Sequence, residues 1–146
     1  MSIRAVHGVF DAHRAGDDIV LDSEGVKLHG LRQQECRVGD QTRMCLSDCV
    51  ASKGDYVGAF VTSVFGAQDL AKKAEEDGDD YRRIMLLSVA DRLAEAAAEA
   101  VHRHMRTSSW GFSTGLESAL DSADLFKCKY NGIRPAPGYP SQVRLC

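Results

Sequence analysis

Arg134 is the side chain of this sequence best placed to do chemistry. It stands in GIRPAPGYP, residues 132–140, which holds all three prolines of the chain, Pro135, Pro137 and Pro140, with glycines at 132 and 138. Each proline fixes φ near about −65°, deletes one N–H donor and drives the residue before it toward extended backbone. The segment is therefore a stiff ribbon whose carbonyls stay free to accept and whose Ala136 and Gly138 keep their N–H groups. A guanidinium on such a ribbon suits a carboxylate or phosphate through a two-pronged hydrogen bond. Tyr139 adds a flat apolar face with a polar tip, and Gly138 permits a turn or the close approach of a ligand. Little ordering cost remains on binding, because most of the freedom is already gone. The same composition also suits a spacer, or a ligand for an aromatic-lined groove.

The other constellations are weaker. Cys45 and Cys49 offer at most half of a metal site, since structural zinc wants four ligands in tighter pairs; His7, His13 and His29 lie nearby without a recognisable spacing. His102 and His104 are two apart and diverge on a helix. EEDGDD, residues 75–80, lacks the oxygen ligands and closing glutamate of a calcium loop. No glycine-rich phosphate loop of the Walker or dinucleotide type is present. We assign no metal site and no catalytic residue.

The elements that must position Arg134 can be read from periodicity. VHGVF and DIVLD carry β-branched and aromatic residues around the turn chemistry of AHRAGDD, which predicts a hairpin, with a third short strand at VKLHG. LRQQEC is either a short helix or the end of a strand. DYVGAFVTSV, residues 55–64, predicts a strand buried on both faces, with Gly58 as a bulge or close-approach point. GAQDLAKKAEED predicts a short amphipathic helix stopped by Gly78. Asp79 and Asp80 then open the dominant element, which runs to Arg106, about 40 Å of helix. Its polar residues Ser88, Asp91, Arg92, Glu95, Glu99, His102 and Arg106 recur every three or four positions, opposite Leu86, Val89, Ala90, Leu93, Ala97 and Ala100. The alanine-rich stretch 94–100 permits close approach to the helix backbone, or reflects helix propensity alone. Trp110 and Phe112 are expected to anchor a turn, and LESALDSADLFK reads as one short helix or two fragments.

Bulk properties narrow the setting. The 146 residues suffice for one domain with a core. A net charge of −3 offers no field for nucleic acid or an anionic membrane. No apolar run approaches the roughly 18 residues of a membrane span, and MSIRAVHGVF lacks the apolar stretch of a secretory signal. Five cysteines without a regular framework point to free thiols and a cytoplasmic setting.

GIRPAPGYPS resembles the signature of the activation domain of cobalamin-dependent methionine synthase. GDDYRRIMLLSVADRLAEAAAEAVHRHMR resembles that family's long helix, GVFDAHRAGDDIVL its early hairpin, and LRQQ, CLSD and DYVGAF its next segments, all in order from about Gly8 to Ser141. The resemblance implies one α+β unit over 1–146, with a twisted, mainly antiparallel sheet, one long helix and shorter helices. Residues 142–146 form a divergent tail, and the family pattern is incomplete at both ends. It implies a domain that binds S-adenosylmethionine and docks over cobalamin carried by another module of methionine synthase. There a flavodoxin-like or diflavin reductase supplies an electron and the ligand's methyl group passes to cobalt. The isolated chain is then a binding and docking module. Arg134 corresponds to the family arginine that binds the ligand carboxylate. Pro135, Ala136 and Gly138 correspond to its backbone contacts, Tyr139 to the tyrosine that faces the cobalamin, and Glu95 to a helix glutamate at the ligand site. The family's aspartate for the ligand amino group and its aromatic wall have no counterpart. The alternative is a relative that has lost the ligand and serves as a protein-interaction module or a non-functional fragment.

Overall fold

The computed structural model describes residues 1–35, 42–113, 115, 117 and 120–136. They form two packed units: Met1–Gly8 with Ala59–Tyr130, the helical unit, and Val9–Gly58 with the segment that begins at Asn131, the hairpin unit. Strands β1 (Ser2–Ala15) and β4 (Asp55–Phe65) run through both; β2 (Asp18–Leu21) and β3 (Val26–Leu28) complete a four-stranded sheet of order β3-β2-β1-β4. The β1–β2 and β2–β3 pairings are antiparallel.

In the hairpin unit the register pairs Ala12 with Leu21 and Ala15 with Asp18. Cross-strand partners share a face, and period-two alternation adds Phe10 and Ile19 to it. Ala12, Ile19, Leu21 and Val50 are buried there, with Phe10, Leu46 and Val57 packed against them. This explains why the turn is narrower than AHRAGDD suggested. Ala12, His13 and Arg14 continue the strand, and only Gly16 and Asp17 lie between β1 and β2.

Residues 31–35 take neither helix nor strand. They are tied instead by Arg32, which donates to Asp17 through Nε at 3.0 Å and Nη2 at 2.8 Å. The same guanidinium reaches both oxygens of Asp48, at 2.7 and 2.8 Å. Asp48 lies in a 3₁₀ turn, Leu46–Cys49. Those bonds hold the Asp48 carboxyl down at about 2.

In the helical unit, α1 (Ala67–Glu76) leads into α2 (Asp80–His104). Ala67, Ala71 and Ala74, three or four apart, bury one face of α1. Gly78, with φ +74°, makes the reversal, and the Gly78 and Asp79 N–H groups close the end of α1 on the Glu75 and Ala74 carbonyls. Asp79 Oδ1 accepts from the Arg82 N–H at 2.9 Å, the N-terminal cap that the paired aspartates predicted. A π-helical turn, Met105–Ser109, extends α2, and α3 (Ser122–Phe126) is the short helix within LESALDSADLFK.

Two expectations are corrected here. β4 is not buried on both faces: from Ala59 onward exposed residues alternate with half-buried ones, and Val61 is 71% exposed. Phe60, Thr62 and Val64 make the covered side, where the Thr62 hydroxyl donates to the Ala94 carbonyl of α2 at 3.3 Å. The alternation of burial slips at Val57–Gly58, within an unbroken strand. The polar stripe of α2 is not solvated throughout either: its far end, His102 and then Arg106, is buried, while Val89 and Ala100 on the opposite stripe are exposed. Trp110 and Phe112 meet edge to face at 5.1 Å but stay exposed.

Candidate functional site

The densest polar chemistry lies at the end of α2. The π turn sends the Trp110 N–H back to the Met105 carbonyl at 2.8 Å, and Ser113 N–H to Arg106 O at 2.9 Å. Arg106 is only 1% exposed. Its guanidinium makes a two-pronged pair with Glu117, Nε to Oε1 at 2.6 Å and Nη2 to Oε2 at 2.9 Å. Nη1 donates to His102 Nδ1 at 2.6 Å, one helical turn earlier. A guanidinium only donates, so His102 accepts on Nδ1 and is neutral in this arrangement. The Tyr130 ring caps the charge, with its centroid 3.7 Å from Arg106 Cζ, and meets the His102 ring edge-on at 5.5 Å. Glu117 is 2% exposed. Its bonds from Arg106 hold its carboxyl below the usual range, against the burial that would raise it. Burial, with the hydroxyl's bond to Cys128, pushes the Tyr130 phenol up.

Beside this cluster a cavity of about 290 Å³ opens in the helical unit, lined among others by Glu99, Arg103, Leu125, Cys128 and Tyr130. That is near the lower bound for small-molecule pockets. The sequence places His102 and Arg106 on the polar stripe of the long helix and does not single out Glu117 or Tyr130. The 102/106 spacing was the available signal, since residues four apart on a helix are neighbours.

The sequence-assigned residues fall as follows. Glu95 lies exposed on α2, where Arg92 donates to its Oε2 at 2.8 Å. Arg134 and Pro135 are half-buried in the hairpin unit, and Ala136 is exposed. The Arg134 Nε atom is buried. Gly138 and Tyr139 lie outside the described residues, as do Pro137 and Pro140. Among the described residues, no three His, Cys, Asp or Glu side chains gather as a metal set, and no helix is long and apolar enough to cross a membrane.

An antiparallel sheet with one long helix and shorter helices is the architecture of a methionine synthase activation domain. Residues 1–144 match the family model of the vitamin B12 dependent methionine synthase activation domain, and the chain belongs to that family. It is similar to the crystal structure of the MetH reactivation domain bound to AdoHcy, with a TM-score of 0.82 and 40% identity. The match covers 96% of this chain and 46% of that one.

Proposed function

We propose that this domain holds S-adenosylmethionine for the reductive reactivation of methionine synthase. The reading is carried by 40% identity, over nearly all of this chain, to a domain that holds AdoHcy. AdoHcy is what S-adenosylmethionine becomes on losing its methyl group. The donor set on the ribbon suits such a ligand. Arg134 takes the amino-acid carboxylate through a charged, two-pronged bond. Pro135 fixes the backbone on either side of it, and Ala136 and Gly138 offer backbone groups. Glu95 answers the sulfonium charge; its exposed pair with Arg92 is weak and easily exchanged. Cobalamin, held by another module, supplies the methyl acceptor once a flavodoxin-like or diflavin reductase has delivered an electron. Tyr139 is the residue of this chain that we assign to meet it on docking.

Calorimetric titration of the folded chain tests the assignment. Saturable binding of AdoHcy and S-adenosylmethionine is expected. Arg134→Ala should weaken it roughly ten-fold to more than a hundred-fold, the loss of one charged hydrogen-bonded contact. Equal affinity in the two chains refutes the role of Arg134. No binding by a folded wild-type chain favours the protein-interaction reading.

A further inference from the structure

We infer that Arg92 is a positioning residue that sets ligand specificity: by pairing with Glu95 it competes with a sulfonium and narrows the difference in affinity between S-adenosylmethionine and AdoHcy. The inference rests on the assignment of Glu95 to the sulfonium, proposed above, and on no other part of the ligand site. Arg92 Nη1 donates to Glu95 Oε2 at 2.8 Å, across one turn of α2. The two side chains are 82% and 69% exposed, so solvent screens the pair and it exchanges readily. The backbone beneath is held to β4, where the Thr62 hydroxyl donates to the Ala94 carbonyl at 3.3 Å. Exchange at Glu95 then needs only side-chain rotation. Within four residues of Glu95 along the chain Arg92 is the one cation, while Asp91 and Glu99 are carboxylates. The choice of partner at Glu95 therefore lies between Arg92 and a cation brought by the ligand.

The two ligands differ there by one methyl group and one charge. The sulfonium of S-adenosylmethionine meets Glu95 only once Arg92 has released it. The Arg92 charge then stays within a helical turn of the sulfur and opposes it. AdoHcy carries a neutral thioether, offers Glu95 nothing in exchange and leaves the pair closed. Arg92 thus weakens binding of the charged ligand more than binding of the neutral one. Specificity is a difference of affinities, so a competing group can set it without adding a contact to either ligand. An exposed pair of this kind moves an equilibrium about two- to five-fold.

The test is calorimetric titration of both ligands into wild type, Arg92→Gln, Arg92→Lys, Glu95→Gln and the Arg92→Gln, Glu95→Gln double variant. All these positions are exposed, and a melt of each chain checks that it folds. Arg92→Gln should tighten S-adenosylmethionine binding about two- to five-fold more than AdoHcy binding. Arg92→Lys keeps the charge and should keep the wild-type ratio of the two affinities. Most of the gain should vanish in the double variant, because it acts through Glu95. A purely structural role for Arg92 would move both ligands alike, and that result overturns the inference. An unchanged ratio in Arg92→Gln overturns it too, as does an undiminished gain in the double variant. If Glu95→Gln leaves the ratio where it was, the sulfonium assignment of Glu95 fails and the inference with it, while the ligand reading stands. If neither ligand binds folded wild type, the ligand reading itself fails and takes the inference with it.

Discussion

Two ion-paired carboxylates show how differently one chemistry acts in two settings. Arg106 and Glu117 are a desolvated pair, so removing one partner strands the other. Arg106→Met is expected to cost about 3–5 kcal/mol in urea unfolding, and adding Glu117→Leu should recover most of it, because a buried pair is often replaceable by apolar packing. Asp48, paired with Arg32 near the surface, acts through pH instead. Its carboxyl sits at about 2 against an ordinary 3.8. A folded value below the unfolded one means stability that is full above the unfolded value and lost as pH falls toward the folded one. The thermal midpoint should therefore drop between about pH 4 and about pH 2, and Asp48→Asn should flatten that limb while lowering the midpoint at neutral pH. Neither pair was legible in the sequence. Arg106 and Glu117 are eleven residues apart, and Arg32 and Asp48 sixteen, and no local periodicity brings such residues together.

At the scale of elements the helices were read well and the strands less so. Caps and a 3.6-residue period are local properties, so Asp79, Gly78 and the alanine face of α1 could be found along the chain. That face is expected to be intolerant of volume. Ala71→Leu should destabilise by about 1–3 kcal/mol in chemical unfolding, through overpacking against α2. A continuous apolar run such as DYVGAFVTSV does not say how many of its faces will be covered. That depends on what the fold lays over each side, and here only the side toward Ala94 is covered. Gly30 shows the same limit. A Cβ there would strike the Asp17 carbonyl, a constraint set by a residue of the turn between β1 and β2.

At the scale of the whole molecule, helical spacing and burial part company along α2. Tyr81, Ile84, Met85 and Val89 recur at helical spacing along α2 and are all exposed, Tyr81 at 76%. Of these four only Val89 belongs to the apolar stripe read from the sequence, and spacing alone does not bury it, because burial needs a second surface as well as a first. A ligand that binds the folded chain alone must raise its melting point. AdoHcy at about a hundred times its Kd should add about 2.7 kcal/mol, roughly 5–10 °C. A scanning melt with and without AdoHcy checks this, and an unmoved midpoint for a cooperatively unfolding chain counts against the binding reading.

The sequence by itself determined the family, the order of the elements, the long capped helix and the stiff ribbon with its guanidinium. Each of these is written in neighbouring residues, as spacing, capping chemistry or proline content. Only the tertiary structure decided that His102 and Arg106 turn inward, that Glu117 and Tyr130 close on them, and that β4 keeps one face open. Those outcomes rest on contacts between residues remote in the chain and on the desolvation that packing alone imposes, and neither leaves a local pattern to read.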